Sequence, residues 1–335
     1  MLQLEELLNS SQVAASATQF LRFRQIIGTS AGQAQVTLIG AALGRIITRC
    51  HRLAHIEIAP GRIDPLKLAQ SIQGALSPGR QPSSVRSARF SPTLRNAVDV
   101  TALPKFLHIF PEPEEFYFRP VIEQTTFAKR DQAAAVHIQI VPIRRLCIQN
   151  FTPHDAALVQ AAHTTIRSLT VIAAERDAAV FSHIDVHLQA AHQTLRSLDL
   201  DVHSTGYRGE EGWGADWSST IAACSSLIRL SLRVFPEFFN RIIQAIPSTL
   251  RTLILAFGHN AGVCLAPLTM ALYPGQKLAR LRKLFIIVAV PGQLAAIGRN
   301  QRAEVASLRA VCRLRRVQLR VLRSGNAIQF DMTRA

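Results

Sequence analysis

The 335-residue sequence has few aromatic residues, few cysteines and no long apolar run. Aromatic residues make up 6% of the chain, and its five cysteines are scattered and form no C-x-x-C pair. This excludes a disulfide scaffold and suits a reducing compartment. The longest unbroken apolar run, Leu284 to Val290, is far shorter than the ~20 residues that span a bilayer. Residues 1–10 also lack the basic start and apolar core of a signal peptide, so we expect a cytoplasmic or nuclear protein with no membrane association.

Sequence signatures of enzymatic chemistry are also missing. There is no G-x-S-x-G nucleophile motif, no glycine fingerprint for a dinucleotide and no Gly-Lys-Ser/Thr phosphate loop. His183 and His187 have the spacing of two zinc ligands on one helix face, but no third ligand lies at a matching spacing. We therefore expect no catalytic residue, no metal site and no cofactor, and a protein that is not an enzyme.

The positive charge is concentrated at one end of the chain. The formal charge is +16, and residues 277–335 carry 13 basic and two acidic residues, whereas residues 1–276 carry 25 and 20. A clustered basic end is the electrostatic footprint of a nucleic-acid-associated protein, which is the alternative function that the sequence suggests. Against it, residues 287–329 contain almost no aromatic residue on which bases could stack. Of the 38 basic residues 33 are arginines, an excess that G+C-rich coding would also produce.

One six-residue pattern, L-x-x-L-x-L, recurs along almost the whole chain. Its copies start at residues 53, 85, 113, 143, 166, 195, 227, 250, 281 and 314, with a mean interval of 29 residues. A weaker eleventh copy starts at Thr18. In the second half of the pattern apolar residues alternate with other residues, which predicts a short strand with one buried face. Helix-like stretches lie between the copies, such as Leu66 to Leu76 after the capping pair Asp64-Pro65.

Such units bury their apolar sides only when they stack, so the pattern predicts a solenoid. A (β/α) barrel also alternates strands and helices at this spacing, but ten or eleven copies exceed its eight strands. We predict an α/β solenoid with a concave parallel sheet and convex helices. Its parts are a helical cap over residues 1–17, the repeats over 18–322 and a tail over 323–335.

The repeated pattern resembles that of the leucine-rich-repeat (LRR) family. Cys50 and Cys224 each stand three residues before a template leucine, similar to the cysteine-containing repeats of fungal F-box/LRR proteins. The resemblance implies a protein-interaction module that selects targets in a ubiquitin-ligase context. The chain departs from the family after its strands, where His203 and Phe235 occupy the position of the usual Asn or Cys. We therefore expect no ladder of buried polar side chains there. No F-box with its Leu-Pro start is recognisable in the first 50 residues, so adaptor binding is not carried over.

Arginine or lysine occupies the second or third template position in most copies. Neighbouring parallel strands place equivalent residues about 4.8 Å apart, so we predict a row of cations at the start of the concave sheet. Guanidinium groups suit carboxylates, which indicates an acidic protein partner. Alternatively, the arginine stems cover apolar edges and their heads are solvated or paired with Asp199 and Asp201. The predicted partner-binding residues are Arg144, Arg167, Arg196, Arg229, Arg251, Arg282 and Arg315.

A second candidate is the glycine-rich segment over residues 206–217. It follows a predicted strand, as a phosphate loop would, but Glu210 and Glu211 would repel phosphate. One interpretation is a plain excursion between strand and helix; the other is a partner-contacting loop, because Trp and Tyr are favoured interface anchors. In that second interpretation Tyr207, Trp213 and Trp217 contact the partner. The sequence thus indicates a monomeric binding module whose basic last strand either protects a sheet edge or binds nucleic acid.

Overall fold

The computed structural model describes most of both halves of the chain. The described residues are 6, 10–24, 33–61, 63–76, 84–94, 102–110, 113–118, 121–122, 143–149, 159, 162–175, 191–204, 217–234, 236–257, 264–288 and 299–323. The chain forms two compact units, unit 1 over Met1–Arg167 and unit 2 over Ser168–Ala335.

Unit 1 alternates short parallel strands with helices. Its strands are β1 (Phe20–Arg24), β2 (His55–Gly61), β3 (Ser87–Leu94), β4 (Glu115–Phe118), β5 (Val121–Ile122) and β6 (Arg145–Gln149). Its described helices are α1 (Gln12–Ala17), α2 (Gln33–Arg49), α3 (Pro65–Ala75) and α4 (Ala102–Ile109). The strands pair in the order β1-β2-β3-β4-β6, and the short β5 pairs with the end of β3.

Unit 2 repeats the same arrangement. Its strands are β7 (Ser168–Glu175), β8 (Ser197–Ser204), β9 (Arg229–Val234), β10 (Thr252–Phe257), β11 (Lys283–Val288) and β12 (Gln318–Arg323). Its described helices are α5 (Ser218–Ala223), α6 (Pro236–Ala245), α7 (Ala266–Ala271) and α8 (Arg299–Leu314). Each strand pairs in parallel with the next one along the chain.

The predicted fold class is confirmed in both units. Leu198, Leu230, Leu253 and Leu284 stand opposite one another on successive strands and are fully buried. Among the described residues no strand pair closes either sheet into a barrel, so the (β/α) barrel alternative is excluded. The copy with phenylalanines in place of leucines also forms a regular strand, with Phe116 opposite Leu146.

The helices begin where the capping signals predict. The Asp64 carboxylate accepts a hydrogen bond from the backbone N–H of Lys67 at 3.0 Å, and Pro65 occupies the first turn of α3. Most of the predicted helix over 154–165, and the pair His183 and His187, lie outside the described residues. No helix in the described part of the chain has the length and apolar character needed to cross a membrane.

The last repeat is shifted by two residues from the predicted template. The prediction placed Val317 and Leu319 in the two buried strand positions, but β12 aligns Leu319 with Leu284 and continues with Val321. The helix α8 extends through Leu314, which is 71% exposed rather than buried. Arg316 then adopts a left-handed backbone with φ of 55°, a conformation that ends helices. Because α8 extends through Leu314, the strand begins two residues later than the template predicts.

At three of the turns before strands, a hydroxyl group joins successive repeats, and we call these contacts the hydroxyl ladder. Each hydroxyl belongs to the residue just before the first template residue and donates to the carbonyl of the first template residue one repeat earlier. The contacts are Ser84 Oγ to the Leu53 carbonyl at 3.0 Å, Thr165 Oγ1 to the Ile143 carbonyl at 3.0 Å and Thr249 Oγ1 to the Leu227 carbonyl at 2.8 Å. Each contact satisfies a carbonyl group of one repeat with a hydroxyl group of the next.

Replacing Thr249 with valine should lower the free energy of unfolding by about 1 kcal/mol. The change keeps the shape of the side chain but removes the donor that satisfies the carbonyl groups of Leu227 and Ser225. Urea unfolding followed by circular dichroism measures the loss. Ser226→Ala is the matched control, because exposed Ser226 also precedes a first template residue but makes no ladder contact among the described residues. A loss as large for Ser226→Ala would contradict the ladder.

Candidate functional site

The backbone at the start of each strand places the second template residues on one edge of the sheet. The Arg251 carbonyl accepts hydrogen bonds from the N–H groups of both Arg282 (2.8 Å) and Lys283 (3.0 Å) of the next repeat. The Ile228 carbonyl accepts the same pair from Arg251 and Thr252. Because this double contact recurs, second-position residues of neighbouring repeats lie one strand spacing apart, about 4.8 Å. We call this the amino edge.

In unit 2 the amino edge carries one arginine in each of four successive repeats. Arg196, Arg251 and Arg282 stand at the second position, and all three side chains are exposed. In the repeat between Arg196 and Arg251, Ile228 takes the second position and the half-buried Arg229 follows at the third. We call the set Arg196, Arg229, Arg251 and Arg282 the arginine row.

Unit 1 has a shorter run of arginines at its amino edge. Arg144 and Arg167 are exposed and adjacent, with the Arg167 N–H donating to the Arg144 carbonyl at 2.8 Å. The repeat before them carries Glu114 at the second position, so an acidic residue interrupts the positive edge. Backbone register thus brings together Arg144 with Arg167 in unit 1, and the four residues of the arginine row in unit 2.

Arg315 does not belong to the row, which corrects the sequence prediction. Because the last repeat is shifted by two residues, the residue opposite Arg282 is the buried Val317. Arg315 instead donates from Nη2 to the carbonyl of Ala279 at 2.7 Å. Its guanidinium satisfies a turn carbonyl within unit 2.

The glycine-rich segment lies mostly outside the described residues, including Tyr207 and Trp213. Trp217 is described and is only 4% exposed, just before α5. A side chain that is packed inside the unit cannot anchor a partner, so we leave Trp217 out of the candidate surface. Tryptophan content alone could not distinguish a buried anchor from an exposed one.

A charged cluster on unit 1 was not predicted from the sequence. Register places Arg22 opposite Glu57, Glu57 opposite Arg89, and Arg89 opposite Tyr117. These residues alternate with the buried template residues, so they lie on the sheet face that points away from the core, which we call the open face. Arg24 follows two residues after Arg22 on the same face. Aligning the repeats by their templates would have revealed the Arg22–Glu57 pairing.

Glu57 is the centre of this cluster and is 4% exposed. Its Oε1 accepts hydrogen bonds from Arg24 Nε at 2.9 Å and Nη2 at 2.7 Å, and its Oε2 accepts one from Arg22 Nε at 2.9 Å. Arg89 Nη1 lies 3.6 Å from Oε2, and the Arg89 guanidinium stands 4.9 Å from the centre of the Tyr117 ring. Burial alone raises the pKa of Glu57, but the hydrogen bonds and charges of Arg24 and Arg22 lower it more. The carboxylate is therefore ionised at neutral pH.

An open groove of about 630 Å³ runs along the amino edge of unit 1. Its lining carries both signs of charge, from Arg52 and Arg86 and from Glu114 and Glu115, together with His51 and His55. Arg145, beside it, donates to Glu115 at 2.7 Å. Because acidic and basic side chains both line it, the groove does not favour a ligand of either charge.

The described residues offer little for nucleophilic or metal chemistry. Of the five free thiols four are buried, and burial raises the pKa of Cys224 and of Cys312 to about 11. Such thiols stay protonated at neutral pH and act as small apolar core residues. In the described part of the chain no three His, Cys, Asp or Glu residues come together as metal ligands.

The stepwise parallel strands with buried template leucines define the leucine-rich-repeat class of fold in both units. No family model matches the chain, and no curated protein matches it. Among solved structures the chain is similar to the leucine-rich repeat-containing protein LegL7 from Legionella pneumophila, with 12% sequence identity and a TM-score of 0.46. That match covers 91% of this chain and 90% of the other.

Proposed function

We propose that this protein is a non-enzymatic binding module that holds an acidic protein partner at the amino edge of unit 2. The observation that carries the proposal is the arginine row, in which exposed Arg196, Arg251 and Arg282 stand on one backbone ladder. Their spacing follows from the sheet, so their presentation does not depend on flexible loops.

The energetics of the arginine row favour an extended acidic partner rather than a single anion. Like charges one strand spacing apart repel each other, and an acidic partner relieves that repulsion. One exposed ion pair contributes only up to about 1 kcal/mol. Useful affinity therefore needs several pairs at once, which a row of arginines on successive repeats supplies. Such binding weakens as salt screens the charges.

Reversing the three exposed charges should weaken partner binding by tenfold or more, because each lost pair is replaced by a repulsive one. The variant is Arg196→Glu/Arg251→Glu/Arg282→Glu, and the probe is a fluorescein-labelled poly-glutamate peptide followed by anisotropy at low salt. The control Arg309→Glu/Arg313→Glu/Arg320→Glu makes the same change in net charge at exposed residues outside the row. Equal weakening in both variants would mean that only net charge matters and would overturn the proposal.

The same two variants also test the cellular setting. Affinity capture with mass spectrometry identifies partners that bind the wild type and the control but not the row variant. Ubiquitin-ligase components among them would support the F-box/LRR-like context that the sequence resemblance implies. Their absence would leave a binding module without that context.

One observation favours nucleic acid as a second candidate partner. Arg309 and Arg313 on α8, with Arg316 and Arg320 after it, are all exposed at the end of unit 2. Among the described residues β12 pairs only with β11, so these charges also suit the protection of an open strand edge. A log–log slope of affinity against salt of roughly one per phosphate contact, with random DNA or RNA, would support nucleic-acid binding. No binding at about 50 mM salt would remove it.

A further inference from the structure

The charged cluster on the open face of unit 1 contains more cations than its own carboxylate balances. Arg22, Arg24 and Arg89 surround Glu57, which among the described residues leaves a local excess of two positive charges. The guanidinium groups face solvent, with side-chain exposures of 46% for Arg22, 56% for Arg24 and 35% for Arg89.

The contacts to Glu57 orient the arginines without using all of their N–H donors. Among the described residues Arg22 uses only Nε, and Arg24 uses Nε and Nη2. The 3.6 Å approach of Arg89 Nη1 to Glu57 is an ion pair beyond hydrogen-bond length, and within the described part of the chain the Arg89 guanidinium makes no hydrogen bond. Tyr117 holds the Arg89 guanidinium in place by a cation–π contact.

We propose that Arg22, Arg24 and Arg89 form a receptor for a carboxylate on an acidic segment of a protein partner that lies across β1, β2 and β3. A side-chain carboxylate above the cluster can accept paired N–H groups from a guanidinium fork, the arrangement that gives the strongest charge-assisted hydrogen bonds. Because Glu57 already fixes the three side chains, binding costs less side-chain entropy than it would with free surface arginines. The proposal shares with the proposed function the acidic protein partner, but it concerns a different surface.

We commit to a carboxylate because it is the anion that an acidic protein segment carries, although guanidinium forks accept phosphate as well. A phosphate dianion meets roughly twice the repulsion from Glu57 that a carboxylate monoanion meets at the same distance, but also roughly twice the attraction of the three arginines. A local excess of two positive charges also matches one or two partner carboxylates.

Exchanging arginine for lysine tests the receptor without changing its charge. The exchange is made in the arginine-row variant, so that the row on unit 2 no longer binds the peptide. There Arg22→Lys/Arg24→Lys should weaken binding of the labelled poly-glutamate peptide by about tenfold, because lysine cannot form the paired fork. The matched control, Arg309→Lys/Arg313→Lys in exposed positions of α8, should stay within about twofold of that variant. Unchanged affinity on adding Arg22→Lys/Arg24→Lys would overturn the proposal.

If a thermal melt shows that the double variant is unfolded, a single exchange at Arg89 tests the receptor instead. In the same arginine-row background, Arg89→Lys replaces the guanidinium that lies against Glu57 and Tyr117, and should weaken binding by several-fold. Unchanged affinity in this folded variant would overturn the receptor. At matched ionic strength, inorganic phosphate displacing the peptide at lower concentration than acetate would overturn the choice of carboxylate.

The two proposals fail separately because each surface is tested while the other is weakened. The receptor is tested in the arginine-row variant, and the arginine row is tested by adding its three reversals to Arg22→Lys/Arg24→Lys. A second change that leaves the affinity unchanged would overturn the surface that it alters, and a further loss of about tenfold would support that surface.

Discussion

Phe106→Ala should lower the free energy of unfolding of unit 1 by about 4 kcal/mol. Phe106 lies on α4, is 1% exposed, and stacks on Phe90 of β3 with ring centres 4.2 Å apart and planes 9° from parallel. Two further rings, Phe110 and Phe116, approach it at 5.2 and 6.2 Å. Truncation therefore removes the ring that joins a helix to two strands and leaves a cavity among stiff aromatic neighbours.

Urea unfolding and hydrogen exchange of β3 and β4 amides measure this effect. Phe20→Ala is the matched control, since the Phe20 ring is 56% exposed and its loss should change stability by less than about 0.5 kcal/mol. A loss below about 1 kcal/mol for Phe106→Ala would show that the surrounding rings collapse into the space.

The repeat was predictable because the apolar pattern within each copy determines which side chains are buried. At positions such as Leu230 and Leu253 the alternation of apolar residues fixes which face of the strand is buried, and no distant residue has to be known. The copy containing Phe116 and Phe118 was weaker as a pattern, but phenylalanine fills the same buried position. Template spacing therefore located eleven of the twelve strands in the described residues, where it missed only the two-residue β5.

The register of the last repeat was not predictable from alternation. A shift of two residues leaves every side chain on the same face of the strand, so Val317 with Leu319 and Leu319 with Val321 fit the template equally well. The position at which α8 ends selects the second of these two registers. Arg316 ends that helix by adopting a left-handed backbone conformation. Glycine usually occupies such a position, so an arginine there does not indicate a helix end in the sequence.

The candidate sites also differ in how far the sequence alone predicts them. The arginine row follows from one template position and could be predicted, whereas the receptor on unit 1 depends on contacts between residues 33 and 35 positions apart. The hydroxyl ladder depends on pairing of the same kind, although a Ser or Thr before Val85, Ile166 and Leu250 was visible in the sequence. Burial of Trp217 is a tertiary property and had no local signal.

Gly44→Ala should destabilise unit 1, although alanine is a better helix former than glycine. The helix α2 passes so close to α3 that a Cβ on Gly44 would lie 2.6 Å from the Ile72 carbonyl oxygen and 2.8 Å from the Ala75 Cβ. One turn earlier, a Cβ on Gly40 would lie 2.4 Å from the Ser71 Cβ. The two glycines therefore provide the surface on which α3 packs.

The steric cost should outweigh the gain in helix propensity. Forcing a methyl group into a closely packed contact costs about 1–3 kcal/mol, while Gly→Ala in a helix gains up to about 1 kcal/mol. We expect a net loss of about 1 to 2 kcal/mol for Gly44→Ala and about 3 kcal/mol for Gly40→Ala/Gly44→Ala, measured by urea unfolding.

Gly74→Ala provides a control with the opposite sign. Gly74 lies in α3 on its exposed side, and an added Cβ there meets no atom within 4 Å. This variant should therefore raise the free energy of unfolding by up to about 1 kcal/mol. If Gly44→Ala stabilised the protein as Gly74→Ala does, α2 and α3 could not be in the contact described. Opposite signs for one chemical change in neighbouring helices would establish that helix packing, rather than helix propensity, requires glycine at position 44.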